Sequence, residues 1–253
     1  MRVAVVQHDI VWEDPDANLE RLGATVEDAV AGGDTDLVVL TEMFSTGFSM
    51  AAEHIAEAPD GPSATFLLDR ARATGAWMCG SIPTRTPGVG RPQNVLTVAS
   101  PDGTVHRYAK IHPFSYSGES DHYDPGTEFL TVEISGCRVS FFVCYDLRFA
   151  DEFWVRAPVT DAYVIVANWP APRRRHWLAL LQARAIENQA YVVAANRVGV
   201  GGGLDYAGDS RVFDPMGDAI AAADDAAALL RADVDPAVVA DVRARFPFLD
   251  DRR

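Results

Sequence analysis

Glu42, Lys110, Cys144 and Asn168 are side chains of chemically useful type, each standing just past a short apolar or strand-like run. Lys110 is singular by composition: among 22 Lys and Arg residues it is the only lysine. Where guanidinium has replaced ammonium everywhere else, a surviving ammonium marks a position suited to a compact, rotatable cation that a planar fork does not imitate. A thiol attacks weakly until a base takes its proton, and attack on a carbonyl builds an anion that needs preorganised positive charge. A carboxylate, an ammonium and a thiol brought together would meet those needs. Taken singly, the residues have plainer readings. Lys110 could be the remnant of an Arg-rich composition, Glu42 a helix cap or ion-pair partner, and Cys144, following Phe141, Phe142 and Val143, a packed core thiol.

The elements that must carry these residues are legible from periodicity. In the first half, strands are predicted over 3–7, 37–40, 76–82, 94–99 and 104–108. Helices are predicted over 17–30 and from a Ser63 cap to about 73. In the second half, strands are predicted over 129–134, 138–143, 162–167, 190–196, 210–213, 219–222 and 229–232, and helices over 149–156 and 175–188. The segment 110–128, rich in Gly, Ser, Pro, His and Asp, reads as a long functional loop, and 199–208 as a glycine-rich flexible turn. No low-complexity linker interrupts the alternation, so residues 1–253 are expected to form a single α/β domain. In open α/β sheets the ligand crevice lies at the carboxyl ends of the strands. Glu42, Lys110, Cys144 and Asn168 are therefore expected to converge there.

Composition excludes several classes. With 48% hydrophobic residues and a mean hydropathy of -0.02, the chain can build a large core, but no apolar run approaches the roughly 20 residues needed to cross a bilayer. The first residues carry no basic region or cleavage site of a signal peptide, and a cytoplasmic protein is expected. A net charge of -14 argues against nucleic acid, whose backbone calls for a basic face. The run Arg173, Arg174 and Arg175 is too short for such a footprint but suits a carboxylate. Cys79, Cys137 and Cys144 lack CxxC spacing, so neither a disulfide framework nor a zinc site is indicated. The six histidines lack paired metal spacing; His112, His122 and His176 read as loop, pocket or packing residues. The glycines near 200 lack the lysine of a phosphate loop. Neither metal nor cofactor is expected.

Three blocks, Leu40-Thr41-Glu42-Met43-Phe44, Lys110-Ile111-His112-Pro113-Phe114 and Val143-Cys144-Tyr145-Asp146-Leu147-Arg148-Phe149, resemble the Glu, Lys and Cys signatures of the nitrilase (carbon-nitrogen hydrolase) superfamily. The resemblance runs through nearly the whole chain. Ala167-Asn168-Trp169-Pro170-Ala171-Pro172-Arg173, His176-Trp177, residues 183–189 and Gly208-Asp209-Ser210 are similar to its bacterial ω-amidase branch.

That resemblance implies a four-layer α-β-β-α sandwich and covalent amide hydrolysis. Glu42 would be the general base and then acid, and Cys144 the nucleophile that becomes a thioester. Lys110 with the backbone N–H of Tyr145 would be the oxyanion partners. Glu119 best matches a second glutamate that steadies the lysine, with Asp121, Asp124 and Glu128 nearby as competitors. Small 2-oxo dicarboxylic acid monoamides (2-oxoglutaramate and 2-oxosuccinamate) would be the substrates. Arg173 would hold the far carboxylate, and Phe44, Tyr116 and Trp169 would wall the pocket. Arg148 is expected to pair structurally with acidic groups instead. A homodimer through the helix bearing Trp177 and the helix after Cys144 is also implied. The nearest alternatives are a deaminated-glutathione amidase or an N-carbamoyl amidohydrolase. A Schiff-base role for Lys110, or a non-catalytic scaffold of the same fold, lies further off.

Overall fold

The computed structural model describes residues 1–252. The first half runs β1 (Arg2–Gln7), α1 (Pro15–Val30), β2 (Leu37–Val39), α2 (Ala52–Ile55), α3 (Pro62–Thr74), β3 (Trp77–Thr84), β4 (Gln93–Ala99), β5 (Val105–Ala109) and a one-turn α4 (Glu119–His122). The second half runs β6 (Thr131–Ile134), β7 (Cys137–Val143), α5 (Ala150–Arg156), β8 (Ala162–Ala167), α6 (Arg174–Asn188), β9 (Tyr191–Asn196), the hairpin β10 (Val198–Gly201) and β11 (Leu204–Ala207), then β12 (Arg211–Phe213), β13 (Ala219–Ala222), β14 (Ala228–Asp233) and α7 (Pro236–Arg245).

The strands make two six-stranded sheets, ordered β14-β1-β2-β3-β4-β5 and β13-β12-β9-β8-β7-β6. Each has a parallel centre, β1-β2-β3 in one and β7-β8-β9 in the other, and antiparallel flanks. Parallel neighbours need crossovers, and α1, α3, α5 and α6 supply them on the outer faces. The layers are thus helix, sheet, sheet, helix.

Alternation along β1 explains the sandwich. Val3 and Val5 face the second sheet in a core shared with Phe141, Val164 and Val193, while Ala4 and Val6 face outward onto Leu22, Val26 and Leu67 of α1 and α3. Successive strand residues point to opposite faces, so one apolar run serves both layers. Truncating a residue such as fully buried Leu67 to Ala would cost about 2–5 kcal/mol in lost transfer energy and cavity.

Local chemistry sets the helix ends. The Asp14 carboxylate accepts from the Ala17 amide at 3.1 Å, with Pro15 at the first helical position, so α1 begins two residues before the expected 17. Ser63 is not the cap of α3. Gly61 is, and the Ser63 hydroxyl lies inside the first turn, bonded to Ser45 and Glu57 at 2.8 and 2.5 Å.

The glycine-rich segment near 200 is not a flexible turn but the two-stranded β10-β11 hairpin, with Gly202 and Gly203 at its tip. Periodicity missed it because glycines carry no side-chain pattern. The four-residue α2 has no side-chain cap bond, whereas α7 starts on an Asp235 cap with Pro236 behind it, a start signal that apolar periodicity alone does not register. The 110–128 loop does carry structure, a 3-10 turn at Ser115–Ser117 followed by α4.

Candidate active site

Glu42 follows β2, Lys110 follows β5, Cys144 follows β7 and Asn168 follows β8, so all four stand at strand ends on one side of the sandwich. Glu42 and Lys110 come from one sheet, Cys144 and Asn168 from the other. The site lies where the two sheets meet.

Its polar centre is a buried charge cluster. Lys110 Nζ donates to Glu42 Oε1 at 3.0 Å and to Glu119 Oε1 and Oε2 at 3.0 and 2.8 Å. Lys110 is 1% exposed, and Glu42 and Glu119 are fully buried. Asn94, from β4, donates through Nδ2 to Glu42 Oε1 at 2.8 Å and to Glu119 Oε1 at 3.2 Å, tying the two carboxylates together. Glu42 Oε2 accepts from the backbone N–H of Asn168 at 2.8 Å, and the Glu42 carbonyl accepts from Asn168 Nδ2 at 2.5 Å. Residues 126 apart in sequence thereby lock the two sheets together at this point. Glu119 is held by the Phe114 N–H at 2.5 Å, a bond that the Ser115–Ser117 turn makes possible.

The electrostatics follow from burial and neighbours. Burial pulls the Lys110 ammonium down, but Glu119, Glu42 and Cys144 more than offset it, so its pKa lies above the usual lysine range. Burial raises the Glu119 carboxyl, opposed by Lys110 and reinforced by Glu42. The Cys144 thiol is pushed well up by burial and by the Glu42 charge, against the pull of Lys110. A thiol so placed is held as S–H until a neighbour removes the proton, and Glu42 is the carboxylate whose charge acts on it most.

Cys144 also sits on strained backbone, with φ of +47° where β7 breaks into a 3-10 turn at Cys144–Arg148. Left-handed φ at a non-glycine residue is uncommon and persists where the surroundings enforce it. Asp146 is one enforcer. It accepts from the Val143 and His112 amides and from the Tyr108 hydroxyl, at 3.0, 2.9 and 2.8 Å. Burial raises its carboxyl to about 6.

Cys144 opens into a cavity of about 320 Å³. Tyr145, Trp169 and Arg173 line it, and so do Arg148, Trp12 and Phe48. Arg173 spreads over the Phe114 ring at 5.2 Å, and the Trp169 indole N–H donates to the Arg173 carbonyl at 2.9 Å. Arg174 turns away into a two-bond pair with Asp209, at 2.9 Å each, which leaves Arg173 as the pocket member of the arginine run.

Other expected residues fall elsewhere. Phe44 is not a pocket wall; it is fully buried in the core between the first sheet and α1 and α3, because β2 ends with its following turn folded inward. Tyr116 is 86% exposed at the surface, and Phe114, two residues earlier, faces the cavity in its place. Arg148 has no carboxylate partner among the described residues. It bonds His176 Nδ1 at 3.2 Å and lies over Trp169 at 4.9 Å, inside the pocket. Trp177 is buried, with its N–H on the Asp209 carbonyl.

Asn94 and Trp12 carried no sequence signal beyond their types, whereas Asn168 had its strand-end position and its place in the 167–173 block. Among the described residues, His112, Asp146 and Glu152 bring possible ligand atoms within 4.8 Å of one another. Asp146 already spends both oxygens on the bonds above, so this group is read as a support for the turn.

Fold and site together define a class of thiol-bearing α-β-β-α sandwich with a buried Glu-Lys-Glu cluster. Residues 2–244 match the carbon-nitrogen hydrolase family, and the chain belongs to it. It is 41% identical over 254 residues to "Omega-amidase YafV" of Escherichia coli K12, covering 99% of this chain and 96% of that protein. It is 32% identical to a 2-oxoglutaramate amidase of Bacillus subtilis, covering 99% and 97%. Among solved structures, XC1258 of Xanthomonas campestris, a CN-hydrolase superfamily protein with an arsenic adduct in its active site, superposes with a TM-score of 0.94. It shares 39% identity, with 100% and 97% of the two chains covered.

Proposed function

We propose that the chain hydrolyses the terminal amide of small 2-oxo dicarboxylic acid monoamides, such as 2-oxoglutaramate and 2-oxosuccinamate, through a Cys144 thioester. The observation that carries this reading is the pairing, in one small cavity, of Cys144 beside the Glu42–Lys110 pair with the guanidinium of Arg173, which has no carboxylate partner among the described residues. The first supplies amide chemistry and the second a cation for a distal carboxylate.

Glu42 takes the Cys144 proton as the sulfur attacks the carbonyl carbon, and the C=O pair moves onto oxygen. The Lys110 ammonium and the Tyr145 N–H meet that oxyanion. Collapse of the intermediate expels the nitrogen, which receives the proton from Glu42 and leaves as ammonia. Water then loses a proton to Glu42 and attacks the thioester carbon; the thiol is expelled and reprotonated, and the acid departs. Glu119 and Asn94 hold Lys110 and Glu42 at their stations. The steps call for no metal and no cofactor, since the thiol, carboxylate and ammonium supply every bond change.

We read residues 1–253 as one hydrolase domain acting in the cytoplasm. No helix among the described residues is long and apolar enough to cross a membrane. A homodimer through the outer faces of α5 and α6 is supported by the exposed apolar side chains of Val155 and Ile186, with Trp154 beside them half-exposed under the Arg252 guanidinium. Light scattering of the purified protein tests it.

The substrate test is a panel at equal enzyme concentration: 2-oxoglutaramate, 2-oxosuccinamate, deaminated glutathione and an N-carbamoyl amino acid, with ammonia release as the readout. Preference for the short monoamides is expected, with none released by Cys144→Ala. Strong preference for the longer amide or the carbamoyl compound would overturn the assignment.

A further inference from the structure

Asn168 combines three observations. It lines the cavity that Cys144 opens into, yet its residue is only 3% exposed. Both of its nitrogens are spent on Glu42: the backbone N–H on Oε2 at 2.8 Å, and Nδ2 on the carbonyl at 2.5 Å. Its Oδ1 is buried and has no hydrogen-bond partner among the described residues. Among the described pocket-lining residues it is the buried side-chain polar atom left in that condition. Turning the amide over does not relieve it, because Oδ1 would then face the Glu42 carbonyl, acceptor against acceptor. The donor to Glu42 fixes which end is free. An unpaired buried acceptor is costly, and native proteins keep one chiefly where a ligand or water completes it.

We propose that Asn168 Oδ1 accepts an N–H of the scissile carboxamide, so that Asn168 is a catalytic residue which selects primary amides and sets the leaving nitrogen beside Glu42. The inference rests on the amide-hydrolysis reading above and deepens it. A primary amide brings two N–H donors. One nitrogen lone pair must reach the proton on Glu42, and a donor to Asn168, itself bonded to that same carboxylate, places the nitrogen there. An ester has no such donor. The carboxylate product has only acceptors and is repelled by Oδ1, which favours its release. Asn94 Oδ1 is also buried and unpartnered, but Asn94 does not line the cavity.

The test compares wild type with Asn168→Leu, close in shape but lacking both the Oδ1 acceptor and the Nδ2 donor to the Glu42 carbonyl, whose loss the ester and thiol arms report, and with Asn168→Ala in case Leu does not fold. Three measurements are made: the rate of glutaramate hydrolysis, the rate of monomethyl glutarate hydrolysis, and the rate of Cys144 modification by methyl methanethiosulfonate as a function of pH. Amide kcat/KM should fall by roughly 10- to 100-fold, the loss of one buried hydrogen bond. Ester hydrolysis and the thiol profile, which report whether Glu42 still serves Cys144, should move by less than about 3-fold. A parallel fall in all three means Asn168 only steadies Glu42, and an unchanged amide rate means it reads nothing; either overturns the proposal. The wild-type arm stands apart: ester turnover with no amide turnover would sink the amidase reading itself, whatever the variants do.

Discussion

Lys110 Nζ and Glu42 Oε1 lie 3.0 Å apart in a place where the lysine is 1% exposed and the glutamate not at all. A single buried ion pair seldom repays its desolvation. Here Glu119 adds a second carboxylate at 2.8 Å, and the lysine pKa rises despite burial. The amine is thereby fixed as an ammonium. A Schiff-base role would need the free amine, which this environment disfavours.

Replacing that ammonium should separate charge from shape. Lys110→Arg keeps the charge but places a planar fork where a compact donor bonds two glutamates, and kcat should drop by about 10²–10³-fold. Lys110→Met leaves two buried carboxylates uncompensated and should lose about 3–5 kcal/mol in a urea melt. Full ammonia release by Lys110→Arg would refute the oxyanion role.

Glu119 touches Lys110 and the Phe114 amide. In Glu119→Gln the amide can still accept from Phe114, but one end turns a donor toward Lys110. We expect kcat to fall by about 10–100-fold with little change in KM, the pattern of a positioning residue. A rise in KM alone, in steady-state kinetics, would place Glu119 on the substrate instead.

Arg173 and Arg148 can be told apart by substrates with and without a second carboxylate. For Arg173→Met, KM for glutaramate should rise by about 10–100-fold, because a charge-assisted hydrogen bond to the distal carboxylate is removed. Pentanamide, which lacks that carboxylate, should be unaffected. If Arg148→Met gives that pattern and Arg173→Met does not, the carboxylate sits over Trp169.

His8 should make the fold acid-sensitive. Burial lowers it from 6.5 to about 4, with Nδ1–H donating to the Asp9 carbonyl at 3.2 Å and Nε2 accepting from Thr41 at 2.9 Å. The folded pKa is below the unfolded one, so on acidification the unfolded chain takes the proton first. Stability is then lost as pH falls from about 6.5 to about 4. Between pH 7 and pH 5 the loss from this group is about 2 kcal/mol. Urea melts at the two pH values should show a smaller difference for His8→Gln than for wild type. Asp146, raised to about 6, contributes in the opposite direction, so the comparison with the variant isolates His8.

The β10-β11 hairpin is pinned by an indole. Cβ atoms built at Gly201 and Gly202 would stand 3.0 and 2.7 Å from the Trp12 ring, and Gly202 has a φ of +56°. Gly202→Ala should therefore lower the melting temperature and raise KM, since Trp12 and Gly202 both border the cavity. Unchanged values in calorimetry and kinetics would mean the hairpin yields freely.

The alternation of β and α segments, and the placement of Glu42, Lys110, Cys144 and Asn168 after strands, could be read from the chain, because apolar period and strand-end position are local properties. Lys110 could be singled out because composition needs no coordinates. The resemblance to a family, through the loop after Lys110 and the 167–173 block, carried Glu119 and Arg173 further than periodicity could.

Other features belong to packing alone. Asn168 meets Glu42 across 126 residues, Asn94 bridges two carboxylates, Phe44 turns into the core while Phe114 takes the pocket, and Trp12 finds a slot lined by glycines. Each depends on how two sheets stack, a long-range outcome that no window of sequence contains. Residue type and order were enough to name the groups able to do the chemistry. Which oxygen of Glu42 faces Lys110, and which acceptor stands free in the cavity wall that Cys144 shares, came from the stacking of the sheets.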